Sequence, residues 1–450
     1  MEIKQRMSKR FGWLLGAVVL VLIGLLVACG SNYNASSDGL LIVGSQGSGL
    51  LETFSFTLNN GSISAIQNTP NDTSNELCVL NGVPSSIVVD PAGAYAYTII
   101  NANSACTGST TGILAFKLNS DGTTTQVGSQ VPFNGTVFPG TMVMDPAGKF
   151  LFVADRATNP YGGGPQMSGA ISVFLIGSGG SITEVAGSPF TPTVQSTVPQ
   201  AIIDIVAVAP TPTVFPAIGL NGVQQAVCSD VGNNPPTLEY LYAVDGLGNQ
   251  VFEFSVNTTT GVLTNPSNLP YEPSFATDPQ PAGIAVDPCN RFVYVSDSLT
   301  DKVSGYAMCN NTVTSPVTAC MNLGIPGALA PVGTPFALPG STNSPGPLVV
   351  DPYGNYVYVL GTLSNTINPL KISRISGALA PVNPATVATG IGPTSIAIRA
   401  DDSWLFVANH GSAAVGGNTV SQYSITPQSG VLSAGPTIQT DNYPWGVAVK

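Results

Sequence analysis

The sequence predicts an all-β fold: a seven-bladed β-propeller of four-stranded antiparallel blades, closed by pairing its N- and C-terminal strands in one blade. Three observations carry that expectation. A unit made of a proline, an apolar run, an Asp-Pro-x-Gly type of turn and a second apolar run rich in Tyr, Phe and Val recurs through the 450 residues. Seven short glycine turns each lead into an apolar run. The chain also ends on Tyr443-Pro444-Trp445-Gly-Val-Ala-Val-Lys450, a first strand with nothing after it. Its earliest strand past residue 38, Leu40-Leu-Ile-Val43, is a second strand with nothing before it.

Clear copies of the unit run from Pro84 to Asp90-Pro91-Ala-Gly93, from Pro139 to Asp145-Pro146-Ala-Gly148, from Pro281 to Asp287-Pro288-Cys-Asn290 and from Pro347 to Asp351-Pro352-Tyr-Gly354. A weaker one runs from Pro393 to Asp401-Asp402. The long gap between Asp145 and Asp287 holds another, which starts at Pro199 and resumes at Leu238-Glu-Tyr-Leu-Tyr-Ala-Val-Asp245 after an insertion over 209–237. The glycine turns are Asn60-Gly61, Asp121-Gly122, Gly179-Gly180, Thr260-Gly261, Pro326-Gly327, Ser376-Gly377 and Ser429-Gly430. Each follows a strand, and Val251-Phe-Glu-Phe-Ser-Val256 shows the alternation of a half-buried one. Nothing after residue 38 has helical periodicity, so the unit is a meander of roughly 50–70 residues, the size of a propeller blade. A lone meander leaves unpaired edges and an apolar face, which radial closure removes. A chain long enough for about three ordinary domains thus becomes one propeller over 39–450.

Composition narrows the function. Only 8% of residues are charged, against roughly 25% in an ordinary soluble domain. After the first ten residues 9 basic and 23 acidic side chains remain, a balance that repels phosphate backbones and disfavours nucleic acid as a partner. The single histidine, His410, excludes a multi-histidine metal centre.

The N-terminus reads as a targeting segment. Four basic residues (Lys4, Arg6, Lys9, Arg10) precede an unbroken apolar and glycine run from Phe11 to Ala28. Leu26-Val27-Ala28-Cys29-Gly30 resembles the bacterial lipoprotein signal, in which the cysteine is lipidated. The expectation is a signal peptide over 1–28, a polar tether over 29–38 and a body outside the cytoplasm, anchored to the membrane of the cell envelope through Cys29. Six further cysteines (Cys78, Cys106, Cys228, Cys289, Cys309, Cys320) suit an oxidising compartment, with Cys309–Cys320 and Cys228–Cys289 as candidate pairs.

The Asp-Pro-x-Gly turns, together with Phe152-Val-Ala-Asp155, Tyr294-Val-Ser-Asp297 and Phe406-Val-Ala-Asn409, make residues from about 39 to 450 similar to the seven-bladed lactonase family and its YVTN-repeat relatives. That family includes the propeller-type 6-phosphogluconolactonases. The resemblance implies the propeller fold and, as an activity, the opening of a cyclic ester. It transfers no catalytic residue onto a position of this chain, and fold alone does not assign function.

Strand order sorts the loops into two faces. The Asp-Pro turns (Asp90, Asp145, Asp287, Asp351) share one face with the glycine turns and read as structural, Asp capping the backbone and Pro presetting φ. On the other face the second-strand exits supply Asp155 with Arg156, Asp245, Asp297 with Asp301 and Lys302, and Asn409 with His410. Asp155, Asp245, Asp297 and Asn409 occupy equivalent places in four blades. Their convergence near the axis would bind a polyol, and the three carboxylates are candidate Ca²⁺ ligands; no other cofactor is indicated. His410 is the available general base for ester opening. Only Arg156 and Lys302 stand on this face for phosphate, which argues against a phosphorylated lactone. So thin a catalytic supply favours a monomeric module that binds a small molecule, or a protein or carbohydrate at the cell surface. The alternative is an extracytoplasmic lactonase for a sugar lactone or similar cyclic ester.

Overall fold

The computed structural model describes residues 38–66, 80–134, 138–156, 169–193, 202–208, 239–266, 273–309, 327–340, 343–412 and 415–450. The signal segment with Cys29, Pro199, the 209–237 insertion, and Cys78, Cys228 and Cys320 with their expected pairings lie outside them. Seven antiparallel sheets form the seven blades of a propeller. Blade 1 joins the two ends of the described chain in the order Ile63–Ile66, Leu50–Thr57, Asp38–Ser45, Pro444–Val449. In that seam Leu41 faces Val449, Ile42 faces Ala448 and Val43 faces Val447. Blades 2 to 7 begin at Val83, Pro139, Ile202, Pro281, Pro345 and Pro393. Blade 6 thus starts two residues before the Pro347 expected from the repeat.

The strands form where β-branched and aromatic residues alternate or run together, and their burial is organised between blades. Seven apolar clusters each straddle two neighbours, from Leu40, Ile42, Ala96 and Ile100 between blades 1 and 2 to Phe56, Trp404 and Phe406 between blades 7 and 1. Every blade therefore buries both faces against its neighbours.

The turn face shows why aspartate and glycine recur. One carboxylate oxygen of each Asp-Pro turn accepts two backbone N–H groups: Asp90 from Ala94 and Tyr95, Asp145 from Lys149 and Phe150, Asp287 from Arg291 and Phe292, Asp351 from Asn355 and Tyr356. The glycine turns do more than reverse the chain, because Gly61, Gly180, Gly261, Gly327, Gly377 and Gly430 are each pressed against an aromatic ring of the preceding blade. The Tyr294 hydroxyl donates to the Gly377 carbonyl at 2.9 Å, Tyr242 to Gly327 at 2.5 Å and Tyr358 to Gly430 at 3.3 Å. Blade 7 carries Phe406 where these blades carry tyrosine. There Gln422, paired with Phe406 on the next strand, donates to the Gly61 carbonyl at 3.1 Å instead.

Candidate functional site

All seven inner strands carry a register shift just after they enter from the opposite face. A β-bulge re-aims side chains and is common beside active sites. Here the bulges turn Ser86, Thr141, Ile203, Ala282, Pro347, Thr394 and Trp445, one from each blade, into a cavity of about 590 Å³ at the mouth of the central channel. Hydroxyls from Ser298, Ser344, Thr362 and Ser395 complete a largely neutral lining. Arg156 is its one charged member. The guanidinium passes over Gly140, where an added Cβ would stand 3.4 Å from Nε, and it makes no ion pair among the described residues.

Behind this wall lies Asp204, a half-buried carboxylate in an otherwise apolar inner strand. Its Oδ1 accepts the Thr141 hydroxyl at 2.5 Å and its Oδ2 accepts the Ile284 N–H at 3.0 Å, so it ties three successive blades at the cavity wall. Burial pushes its carboxyl up to about 6, against the pull of those hydrogen bonds and of nearby Arg156. Asp204 was not foreseen as a site residue, although an Asp inside Ile-Ile-Asp-Ile-Val was a readable signal. Trp445 was foreseen only as part of a strand, because bulge placement is not written in the repeat.

The four equivalent exit residues do not converge on the axis. Asp155, Asp245, Asp297 and Asn409 are buried, and each is used at the mouth of its own blade. Asp155 accepts the Phe138 N–H at 2.8 Å, Asp245 accepts from the Leu247 N–H and the Gln250 amide, and Asp297 accepts the Ser304 hydroxyl at 2.7 Å. The Asn409 amide donates to Thr419 and Ser421. Among the described residues no three His, Cys, Asp or Glu side chains, Asp155, Asp245 and Asp297 included, are grouped to hold a metal. Burial pushes Asp155 up to about 6 and Asp297 up to about 7, as for carboxyls that cap loops away from water. In blade 1 the pair is inverted: Ser45 takes the exit position and donates at 2.5 Å to Glu52 on the adjacent strand. Lys302 is engaged by Asp278 at 2.7 Å, which leaves Arg156 as the one of the two predicted cations without an ion pair among the described residues.

His410 sits beside the cavity. Its ring lies edge-on to Trp445, with centroids 4.9 Å apart, and 5.3 Å from Tyr443, while its neighbour Gly411 lines the wall. Burial lowers its pKa, so the imidazole is neutral at pH 7.

Residues 234–322 and 337–449 match the family model described as "Lactonase, 7-bladed beta-propeller". No curated protein matches the chain. Among solved structures it is similar to a putative 6-phosphogluconolactonase of Bacteroides fragilis (16% identity, TM-score 0.63, covering 93% of this chain and 99% of that one). It is similar also to the periplasmic gluconolactonase of Pseudomonas aeruginosa (18% identity, TM-score 0.60, 92% and 99%). At such identities these likenesses show the fold, while the family match begins at the second strand of blade 4, omits the outer strand Leu329–Pro331 of blade 5, and runs through blades 6 and 7 to the closing strand.

Proposed function

We propose, from a chain that resembles the seven-bladed lactonase family over 234–322 and 337–449, that the channel-mouth cavity hydrolyses a lactone. The observation that carries this reading is Arg156, a guanidinium with no ion-pair partner among the described residues, in a neutral, hydroxyl-lined cavity. In ester opening, water adds to the acyl carbon and negative charge develops on the carbonyl oxygen, where a positioned cation stabilises it most. Neutral His410 takes the proton of the attacking water. The acyl–oxygen bond of the ring then breaks, and the proton passes to the departing ring oxygen, giving a hydroxy acid. Asp204 acts at one remove, holding Thr141 in the wall. The binding module favoured by composition is the weaker reading, since the family match and the cavity both point toward chemistry.

Proton release from the soluble domain with a panel of unphosphorylated and phosphorylated lactones tests the proposal. Arg156→Ala is expected to lower kcat/KM by about 10²–10³-fold, as for loss of one oxyanion donor, and His410→Ala by about 10²-fold or more. No turnover by the wild type on any lactone would overturn the reading and leave a propeller that binds without reacting. We place the protein in the cell envelope, tethered by lipid at Cys29; incorporation of labelled fatty acid that persists in Cys29→Ser would refute the tether.

A further inference from the structure

Seven of the nine large apolar side chains exposed among the described residues lie on the channel face. Leu247, Leu299, Leu363 and Val415 stand in the loops after the second strands of blades 4 to 7, Ile391 at the entry to blade 7, and Tyr443 and Trp445 at the entry to blade 1. Leu299 is 63% exposed and Leu363 71% exposed. Each follows directly on a wall residue of the cavity, Ser298 and Thr362, and Ile391 directly precedes another, Gly392. The corresponding loop of blade 1 is instead Gln46-Gly-Ser-Gly49, and that of blade 2 begins Ala102-Asn-Ser-Ala105. Among the described loops after the second strands, the rim is thus two-sided, polar at blades 1 and 2 and apolar at blades 4 to 7. Arg156 belongs to blade 3, and in a ring of seven the point opposite blade 3 falls between blades 6 and 7, where Leu363, Ile391 and Val415 are exposed.

A solvent-facing apolar arc of this kind marks a surface that is covered in use. Its continuity with the cavity wall argues for an occupant that also enters the cavity. We infer that the substrate is a lactone bearing an aliphatic chain, its ring and carbonyl held toward Arg156 and its chain laid outward over the apolar rim of blades 5 to 7. This rests on the lactonase reading but names a different class from the sugar lactones, whose hydroxyls gain nothing from such a rim.

The test measures proton release with γ-butyrolactone, γ-nonalactone, γ-dodecalactone and gluconolactone, for the wild type and for Leu299→Ser/Leu363→Ser. Calorimetry with an uncleavable decyl-substituted γ-lactam runs beside it. Full burial of a methylene corresponds to about a fourfold gain, so a half-covered chain should raise kcat/KM about twofold per methylene. The double variant should lose about tenfold on γ-dodecalactone and leave γ-butyrolactone unchanged. Hydrolysis of gluconolactone with no dependence on chain length would overturn the inference and leave the lactonase reading intact. Absence of any hydrolysis, with lactam binding that the double variant loses, would overturn the lactonase reading and support the apolar ligand. Neither hydrolysis nor lactam binding would overturn both.

Discussion

Replacing Gly430 by alanine is expected to destabilise the propeller by about 3 kcal/mol, one of the largest losses available from a single methyl group. Gly430 has φ +66°, a left-handed conformation that costs a side chain about 1–2 kcal/mol. Its new Cβ would also fall within 2.3 Å of the Tyr356 ring of the preceding blade, and overpacking of that kind costs about 1–3 kcal/mol. Gly333 separates the two terms. It has φ +65° but nothing within 4 Å of an added Cβ, so Gly333→Ala bears the conformational strain alone. Urea unfolding of both variants should show the Gly430 change costing more than the Gly333 change. Equal losses would mean that the contact between blades contributes nothing.

Glu253→Gln is expected to act in the opposite direction, stabilising the protein by about 1–3 kcal/mol near pH 8. Glu253 is fully buried, and neither of its carboxyl oxygens has a hydrogen-bond partner among the described residues. Burial raises its pKa well above the ordinary 4.5. Below the unfolded-state value the carboxyl is protonated in both states. Above it the unfolded chain loses the proton and the folded chain keeps it, so stability falls as pH rises, by about 1.4 kcal/mol per pH unit until the folded group also ionises. The amide removes that slope. It also has a precedent within the fold, because Gln422 stands at the equivalent position of blade 7 and donates to the Gly61 carbonyl. Unfolding curves between pH 5 and pH 9 that keep the same slope in wild type and Glu253→Gln would disprove the assignment.

The architecture was legible because it repeats. Seven glycine turns and recurrent Asp-Pro corners counted the blades, and the complementary characters of Leu40–Val43 and Pro444–Val449 disclosed the seam. The reason for glycine was less visible. Its packing against Tyr356 or Phe292 joins residues of adjacent blades, and no spacing within one repeat reports that contact. The candidate site was legible in part. Arg156 lines the cavity and His410 stands beside it, whereas Asp155, Asp245 and Asp297 hydrogen-bond within their own blades. A strand-exit aspartate points to the axis or into its own blade according to the register of its neighbours, which local sequence leaves open. The seven bulges decide instead what enters the cavity, and they admit Trp445 and Thr141 while keeping Asp204 just behind.

The seam of blade 1 also sets how the propeller carries a pulling force. Asp38–Ser45 is clamped on one side along eight pairs by Leu50–Thr57 and on the other by the strand that ends the chain. Tension applied at Asp38 and directed along this strand loads both ladders in shear, so their hydrogen bonds bear it together. Tension applied across the seam at Lys450 would peel it one bond at a time, beginning with the Lys450–Leu40 pair. The ring is therefore mechanically directional, stiff along the leading strand and weak at the trailing one.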